Sequence, residues 1–202
     1  MPWLATRRDV LSVVLLAALG SCGPRVDIHY VATPGPVVDA MMDMAEVGPG
    51  DILYDLGSGD GRIPIQAARD YGIRAVGIEI DPKLLRRARE NARKAGVAHL
   101  VEFREADLFT SDFSEATVVT LFLGDALNVR LRPRLLDQLD PGVRVVSHHF
   151  DMGEWQPDEE RIVLNRPVYK WTVPNSYVPG FGASDEPRRT SVERPQLPQG
   201  SG

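Results

Sequence analysis

Apolar positions recur along this chain in two alternating periods, and that alternation predicts a layered α/β fold. Val37, Val38, Met41, Met42, Met44 and Ala45 fall at helical spacing and stop before Gly48, Pro49 and Gly50, which predicts one helix ahead of the first strand. Residues 52–56 form a short β-favouring run that ends in glycines. Residues 62–71 return to helical spacing, with Pro64 tolerated in the first turn. A second strand is expected over 74–80, after which Asp81 supplies a capping carboxylate and Pro82 a first helical residue. In the helix that follows, Leu84, Leu85, Ala88, Ala92 and Ala95 share one face, Arg86, Arg87, Arg89, Arg93 and Lys94 take the other, and Gly96 ends it.

Further strands are expected over 100–104, 117–123 and 143–149, with an acidic loop before the second of them and a helix around 127–139 before the third. Strands alternating with helices imply a parallel sheet. The last two runs, 161–164 and 168–173, have no helix between them. They read as an antiparallel hairpin turning at Asn165, Arg166 and Pro167.

The two ends of the chain read differently. Arg7 and Arg8, an apolar run over 10–20, then Ser21 and Cys22 have the three-part layout of an export signal, expected over 1–21. The run is about half of the roughly 20 residues that a membrane-spanning helix needs. Thr6-Arg7-Arg8-Asp9-Val10-Leu11 resembles a twin-arginine signal. Leu19-Gly20-Ser21-Cys22 resembles the box at which bacterial lipoproteins are lipidated, which makes Cys22 a lipidation site and a membrane tether; the competing reading is a buried amino-terminal helix. An extended lead-in is expected over 22–35, the folded domain over 36–176, and a disordered tail of Pro, Gly, Ser and Arg over 177–202.

Composition narrows the classes. A chain of 202 residues that is 43% hydrophobic has material for one sizeable core, and a monomer is expected. A net charge of -5 gives no broad basic field for a phosphate backbone, so no nucleic-acid partner is expected. A single cysteine excludes intramolecular disulfides and cysteine-rich metal sites.

The chemistry concentrates at Asp55-Leu56-Gly57-Ser58-Gly59-Asp60-Gly61, where a strand gives way to a helix, with Glu79 ending the next strand about twenty positions on. Glycines let a ligand approach the backbone, and a strand-end acid accepts hydrogen bonds from both hydroxyls of a ribose. A dinucleotide fingerprint needs its third glycine where Arg62 stands; here it falls one residue earlier, the spacing of S-adenosylmethionine binders. Asp55 and Asp60 flank the loop, and two carboxylates suit a cationic sulfonium better than a pyrophosphate dianion.

On these motifs the stretch 30–174 resembles class I methyltransferases akin to the protein-lysine methyltransferases that modify the c subunit of ATP synthase. The resemblance rests on Tyr54 to Ile63, on the lead-in Tyr30-Val31-Ala32-Thr33-Pro34, and on Val145-Val146-Ser147-His148-His149-Phe150 followed by Trp155. It implies a Rossmann-like, mostly parallel seven-stranded sheet with a C-terminal antiparallel hairpin and helices on both faces. It also implies a cofactor site of Tyr30, Thr33, Asp55, Gly57, Ser58, Gly59, Gly61, Glu79 and, accepting from the adenine amino group, Asp107. The acceptor implied is a protein lysine.

Fold and cofactor carry over more readily than acceptor, so a small-molecule O- or N-methyltransferase and an exported, non-catalytic nucleotide-binding protein stay open. Amine methylation needs alignment and a deprotonated amine, with no obligatory base. An oxygen acceptor would need a base, for which His148 or His149 are candidates. Strand alternation would let only one of that pair face the pocket, and it makes a metal site from His148, His149 and Asp151 awkward. Asn128 is a third candidate for the acceptor site, with helix capping as its other reading. Trp155, Tyr169 and Trp171 read as channel or core. Export to the cell envelope conflicts with a cofactor made in the cytoplasm. An uncleaved tether or a translation start at Met41, with a cytoplasmic enzyme, would resolve that conflict.

Overall fold

The structure, a computed structural model, describes residues 31–175. The expected signal over 1–21, Cys22, Tyr30 and the tail over 177–202 lie outside the described residues. Helix α1 (Gly35–Met44) is followed by β1 (Ile52–Leu56), α2 (Arg62–Tyr71), β2 (Arg74–Glu79), α3 (Pro82–Lys94), β3 (Val101–Glu105), β4 (Val118–Leu121), α4 (Asp125–Gln138), β5 (Arg144–His148), β6 (Glu159–Val163) and β7 (Arg166–Thr172).

The strands form one sheet in the order β3-β2-β1-β4-β5-β7-β6. Strands β1 to β5 run parallel, and β7 enters antiparallel between β5 and β6. The central strands β1, β4 and β5 are buried almost throughout, which is why they read as continuous apolar runs. Helices cover both faces. On one, Val37, Val38, Met41 and Met42 of α1 and Ile63 and Ala67 of α2 pack on Leu53, Ala75, Val118 and Val146, while Ile65 and Ala68 of α2 meet Leu85, Ala88 and Ala92 of α3 over Phe103. On the other, Leu131 and Leu135 of α4 join Tyr54, Leu56, Phe113, Val119, Leu121 and Trp171. Burying a side chain of this size contributes about 1.5–3 kcal/mol. A translation start at Met41 would delete Val37 and Val38, which are 0% and 1% exposed, and open that core.

The hairpin corrects the expected turn. Its two turn residues are Leu164 and Asn165, with φ of 52° and 60°, so that Val163 faces Arg166 and Ile162 faces Pro167. Positive φ at both central positions matches the right-handed strand twist, and Asn tolerates it well. Pro167 thus lies inside β7 and not in the turn. Trp155, Tyr169 and Trp171 belong to the core reading: Trp171 is fully buried, its Nε1 donates to the Trp155 carbonyl at 2.7 Å, and Tyr169 packs beside it.

Candidate functional site

The glycine loop hangs from the carboxyl end of β1, where Gly57 N and Ser58 N both donate to the Ile78 carbonyl at 2.9 Å. Glu79, at the tip of β2, is fixed by backbone amides. Its Oε2 accepts from Gly59 N at 2.9 Å, and its Oε1 accepts from Ile80 N and Asp81 N at 2.8 and 2.9 Å. A carboxyl group held by three amides is fixed in orientation, with lone pairs left over for two hydroxyl donors. Ser58 Oγ is buried with no hydrogen-bond partner, an orphan acceptor inside the cradle.

Gly61 answers to packing more than to a ligand. At φ +79° a Cβ there would stand 2.5 Å from the Phe103 ring and 2.9 Å from Ala88 Cβ, so glycine lets α2 start flush against α3 and β3.

Asp55 and Asp60 play unequal parts. Asp55 is 3% exposed and accepts from Thr120 Oγ1, on the neighbouring β4, at 2.8 Å. Burial pushes its carboxyl up to about 7; the Thr120 hydrogen bond opposes this, and the charges of Glu79 and Asp60 add to it. Asp60 is already neutralised by Arg62, whose Nε and Nη2 reach its two carboxylate oxygens at 3.0 and 2.8 Å. The two acids that flank the loop are therefore unequal candidates for meeting a cation: Asp60 is paired with Arg62, and Asp55 with a neutral hydroxyl. Arg62 Nη1 also donates to the Thr33 carbonyl at 2.9 Å, clamping the end of the lead-in beside the loop.

Asp107 lies in the loop after β3, exposed, its Oδ1 accepting from Phe109 N at 2.8 Å and its carbonyl capping Thr110 and Ser111. It is a turn-forming residue, and its second carboxylate oxygen has no hydrogen-bond partner among the described residues. Ala106 N donates to the Glu79 carbonyl, so β2 and β3 end side by side and Asp107 stands near the Glu79 edge.

Strand order orients the site. Glu79, the candidate ribose-binding acid, sits on β2, to one side of the β1 loop, so an adenosine cofactor held there would extend its reactive end the other way, over β4 and β5. There Phe122, His148, His149 and Phe150 form a continuous group of rings: Phe122 to His148 at 4.1 Å, Phe122 to Phe150 at 5.8 Å and His149 to Phe150 at 4.8 Å. The two histidines do not alternate. The strand ends at His148, and His149, at φ 71°, turns its ring back to within 6.3 Å of its neighbour. Both rings belong to one cluster, although His148 is buried within it and His149 is only half-buried.

His148 is 1% exposed with neither ring nitrogen hydrogen-bonded, and burial, with Arg166 and His149 adding to it, pushes its imidazole down to about 4. It is neutral at physiological pH and too weak a base to ionise a hydroxyl. Asn128 is no helix cap, since Gly124 holds that position. It is fully buried, and its Nδ2 donates to Ser147 Oγ and to the Phe150 carbonyl, both at 3.0 Å. A carbonyl can only accept, which fixes the amide orientation and leaves Oδ1 without a donor. Thr120, Arg62, Phe122 and Ser147 are the site residues that the sequence reading missed. A lone polar residue inside the apolar run Val118-Val119-Thr120-Leu121 was the available signal for Thr120.

Set beside known proteins, residues 55–159 match the model of the ANTKMT methyltransferase domain. The chain is similar to the protein-lysine N-methyltransferase of Saccharolobus islandicus (strain REY15A), 44% identical over 151 residues that cover 72% of this chain and 94% of that protein. It is 35% identical to the adenine nucleotide translocase lysine N-methyltransferase of Mus musculus, spanning 66% of this chain but 58% of that one. Among solved structures, a protein of Salinibacter ruber in complex with S-adenosyl-L-homocysteine, described as an RNA methyltransferase, is 59% identical with a TM-score of 0.72, covering 73% of this chain and 97% of that chain.

Proposed function

The chain belongs to the ANTKMT methyltransferase domain family and is an S-adenosylmethionine-dependent methyltransferase, and from that premise we propose that its acceptor is the ε-amine of a protein lysine. The observation that carries the choice is His148: the imidazole at the acceptor end is neutral, unpartnered and far too weakly basic to serve an oxygen nucleophile. An amine needs no such base once it has lost its proton. The names of the two lysine-modifying relatives support the same acceptor.

Glu79 holds the ribose hydroxyls, and the carboxylate of Asp55, steadied by Thr120, stands for the positive end of the cofactor. The cofactor supplies a methyl group on a positively charged sulfur. The rings of Phe122, Phe150 and His149 line the approach of an apolar lysine stem, and Asn128 Oδ1 offers an acceptor to the amine hydrogens. With that cofactor bound, an amine held in line would take the methyl group as the carbon–sulfur bond gives way, and its surplus proton would leave to solvent. Among the candidates, then, His148, His149 and Asn128 shape and orient the acceptor, and His148 does not act as a base.

A second reading has one specific support: the Salinibacter ruber structure is described as an RNA methyltransferase. Tritiated S-adenosylmethionine added to a lysate with this enzyme separates the possibilities. Label in protein that appears as methyl-lysine after acid hydrolysis upholds the proposal. Ribonuclease-sensitive label, label in small molecules, or binding without transfer would each replace it. Placement at the cell envelope is proposed on the signal-like residues Arg7, Arg8 and Cys22 alone, with the cytoplasm as alternative; no described helix is long and apolar enough to cross a membrane.

A further inference from the structure

Helix α3 carries Lys83, Arg86, Arg87, Arg89, Arg93 and Lys94 against the single acid Glu90, in a chain whose net charge is -5. Elsewhere among the described residues, arginines and lysines are spent on acids, carbonyls or rings: Arg74 on Glu115, Arg104 on Glu102, Arg161 on Asp43, Lys170 on Glu159, Arg132 on the Met152 carbonyl, Arg130 over the Phe109 ring. On α3 only Lys94, paired with Glu90, and Arg89, bound to the Phe103 carbonyl, have partners. The side chains of Lys83, Arg86, Arg87 and Arg93 make no hydrogen bond or close ion pair, Arg93 feeling Glu90 only through its charge; apart from Arg130 over its ring, Arg166, beside His148, is the one other cation among the described residues without such a bond.

These four, with Lys94, fall within about 120° of arc at 100° per residue and along about 16 Å of helix axis, a single stripe on the face opposite Leu85, Ala88 and Ala92. The stripe opposes helix stability. Lys83, Arg86 and Arg87 occupy the first two turns, where the helix dipole disfavours cations, and the first turn holds no acid. Lys83 with Arg87, and Arg89 with Arg93, are like-charge pairs four apart, which repel. A face kept only for solubility would not be built from unpaired cations at the wrong end of a helix.

We propose that the α3 stripe is a docking surface for an anionic phospholipid bilayer, holding the enzyme at a membrane while the carboxyl ends of β4 and β5 receive the acceptor. A plane of headgroup phosphates presents charge at every point along a straight stripe, whereas a nucleic acid would ask for further cations around the fold, and among the described residues all of those but Arg166 are already engaged. No aromatic side chain lies within α3 to stack on a base. The lipidation expected at Cys22 is a separate, sequence-level reason to look for a membrane partner. Each cation near an anionic bilayer is worth roughly a fivefold gain in partition, so four give weak, salt-sensitive, reversible attachment.

The test is co-sedimentation of the full chain with vesicles of phosphatidylcholine alone or with one third phosphatidylglycerol, at low and high salt. The wild type is expected to sediment only with the anionic vesicles and to release at high salt. The triple variant R86E/R87E/R93E is expected to lose about 100-fold or more in partition, while its S-adenosylmethionine affinity is unchanged and its Tm is unchanged or higher. Arg166→Glu, on the other free cation, is expected to leave sedimentation intact. Equal sedimentation with both vesicles, a triple variant that still sediments, or tighter binding to a structured RNA than to anionic vesicles at the same salt would overturn the proposal. Because sedimentation needs no methyl transfer, its outcome is independent of the acceptor's identity.

Discussion

Thr120 on β4 donates its hydroxyl hydrogen to Asp55 on β1 across 2.8 Å, a side-chain link between two neighbouring parallel strands that are buried almost throughout. The bond lowers the Asp55 carboxyl, which burial, Glu79 and Asp60 push up to about 7. Near neutrality, cofactor binding is therefore coupled to loss of this proton. Affinity for S-adenosylmethionine is expected to rise between pH 6 and 8, and calorimetry with Thr120→Val should shift that rise to higher pH. A pH-independent affinity would show that Asp55 is already ionised.

The same carboxyl makes a stability prediction of opposite sign to the usual aspartate. Its folded pKa of about 7 lies above the unfolded value of 3.8, so the native state holds the proton more tightly, and stability is lost as pH rises from about 4 to 7. Asp55→Asn should raise Tm at pH 8 by several degrees while weakening cofactor binding by about tenfold or more. Thermal unfolding at pH 5 and pH 8, followed by titration with cofactor, checks both halves.

His148→Phe should keep methyl transfer within a few-fold and stabilise the protein by ~1 kcal/mol, because it replaces two unpartnered buried nitrogens with apolar edge. The folded imidazole is pushed down to about 4 from 6.5, so it contributes stability above pH 6.5 that is lost as pH falls towards 4. Acid unfolding of the variant should begin at lower pH than that of the wild type. A hundredfold fall in kcat with a changed pH profile would instead make His148 a base.

Two glycines with similar dihedrals should respond differently to alanine. At Gly61, φ +79°, the new Cβ would meet Phe103 and Ala88 at under 3 Å, and a loss of about 3 kcal/mol or more is expected. At Gly96, φ +75°, nothing lies within 4 Å, so only the backbone conformation is penalised, by about 1 kcal/mol. Chemical denaturation of the pair measures the difference.

Arg62→Ala should leave Asp60, only 6% exposed in its side chain, without the guanidinium that neutralises it, and should release the Thr33 carbonyl. Since Arg62 itself is 38% exposed, solvent softens the loss to ~1–2 kcal/mol. Arg62→Lys keeps the charge but not the fork, and should fall between the two in both Tm and cofactor affinity.

Much of this was legible beforehand for a physical reason: helix and strand periods and the glycine loop are local properties. Helix α2 spans the residues that its spacing marks, and Glu79 stands at the strand tip. What escaped depends on partners distant in sequence or on backbone sign. Nothing local to Arg62 announces that it spends its charge on Asp60 and reaches back to Thr33. Nothing local to His149 announces a positive φ, so alternation was expected to continue past the end of β5. Asn128 looked like a cap because Asn favours caps, yet Gly124 opens the helix and Asn128 turns inward to Ser147.

The outer strands of the sheet bear on how a protein substrate is held. At one margin β3 presents Glu102, Arg104 and Glu105; at the other, β6 presents Glu159, Glu160 and Arg161, several of them tied in ion pairs. A polypeptide laid alongside either strand would have to strip water from those charges, a recognised defence against edge-to-edge association. Capture by strand addition, which reads backbone, is disfavoured at both margins. The acceptor chain is then left to present a single side chain end-on, at the carboxyl tips of β4 and β5, so that selectivity rests on reach and shape around one residue.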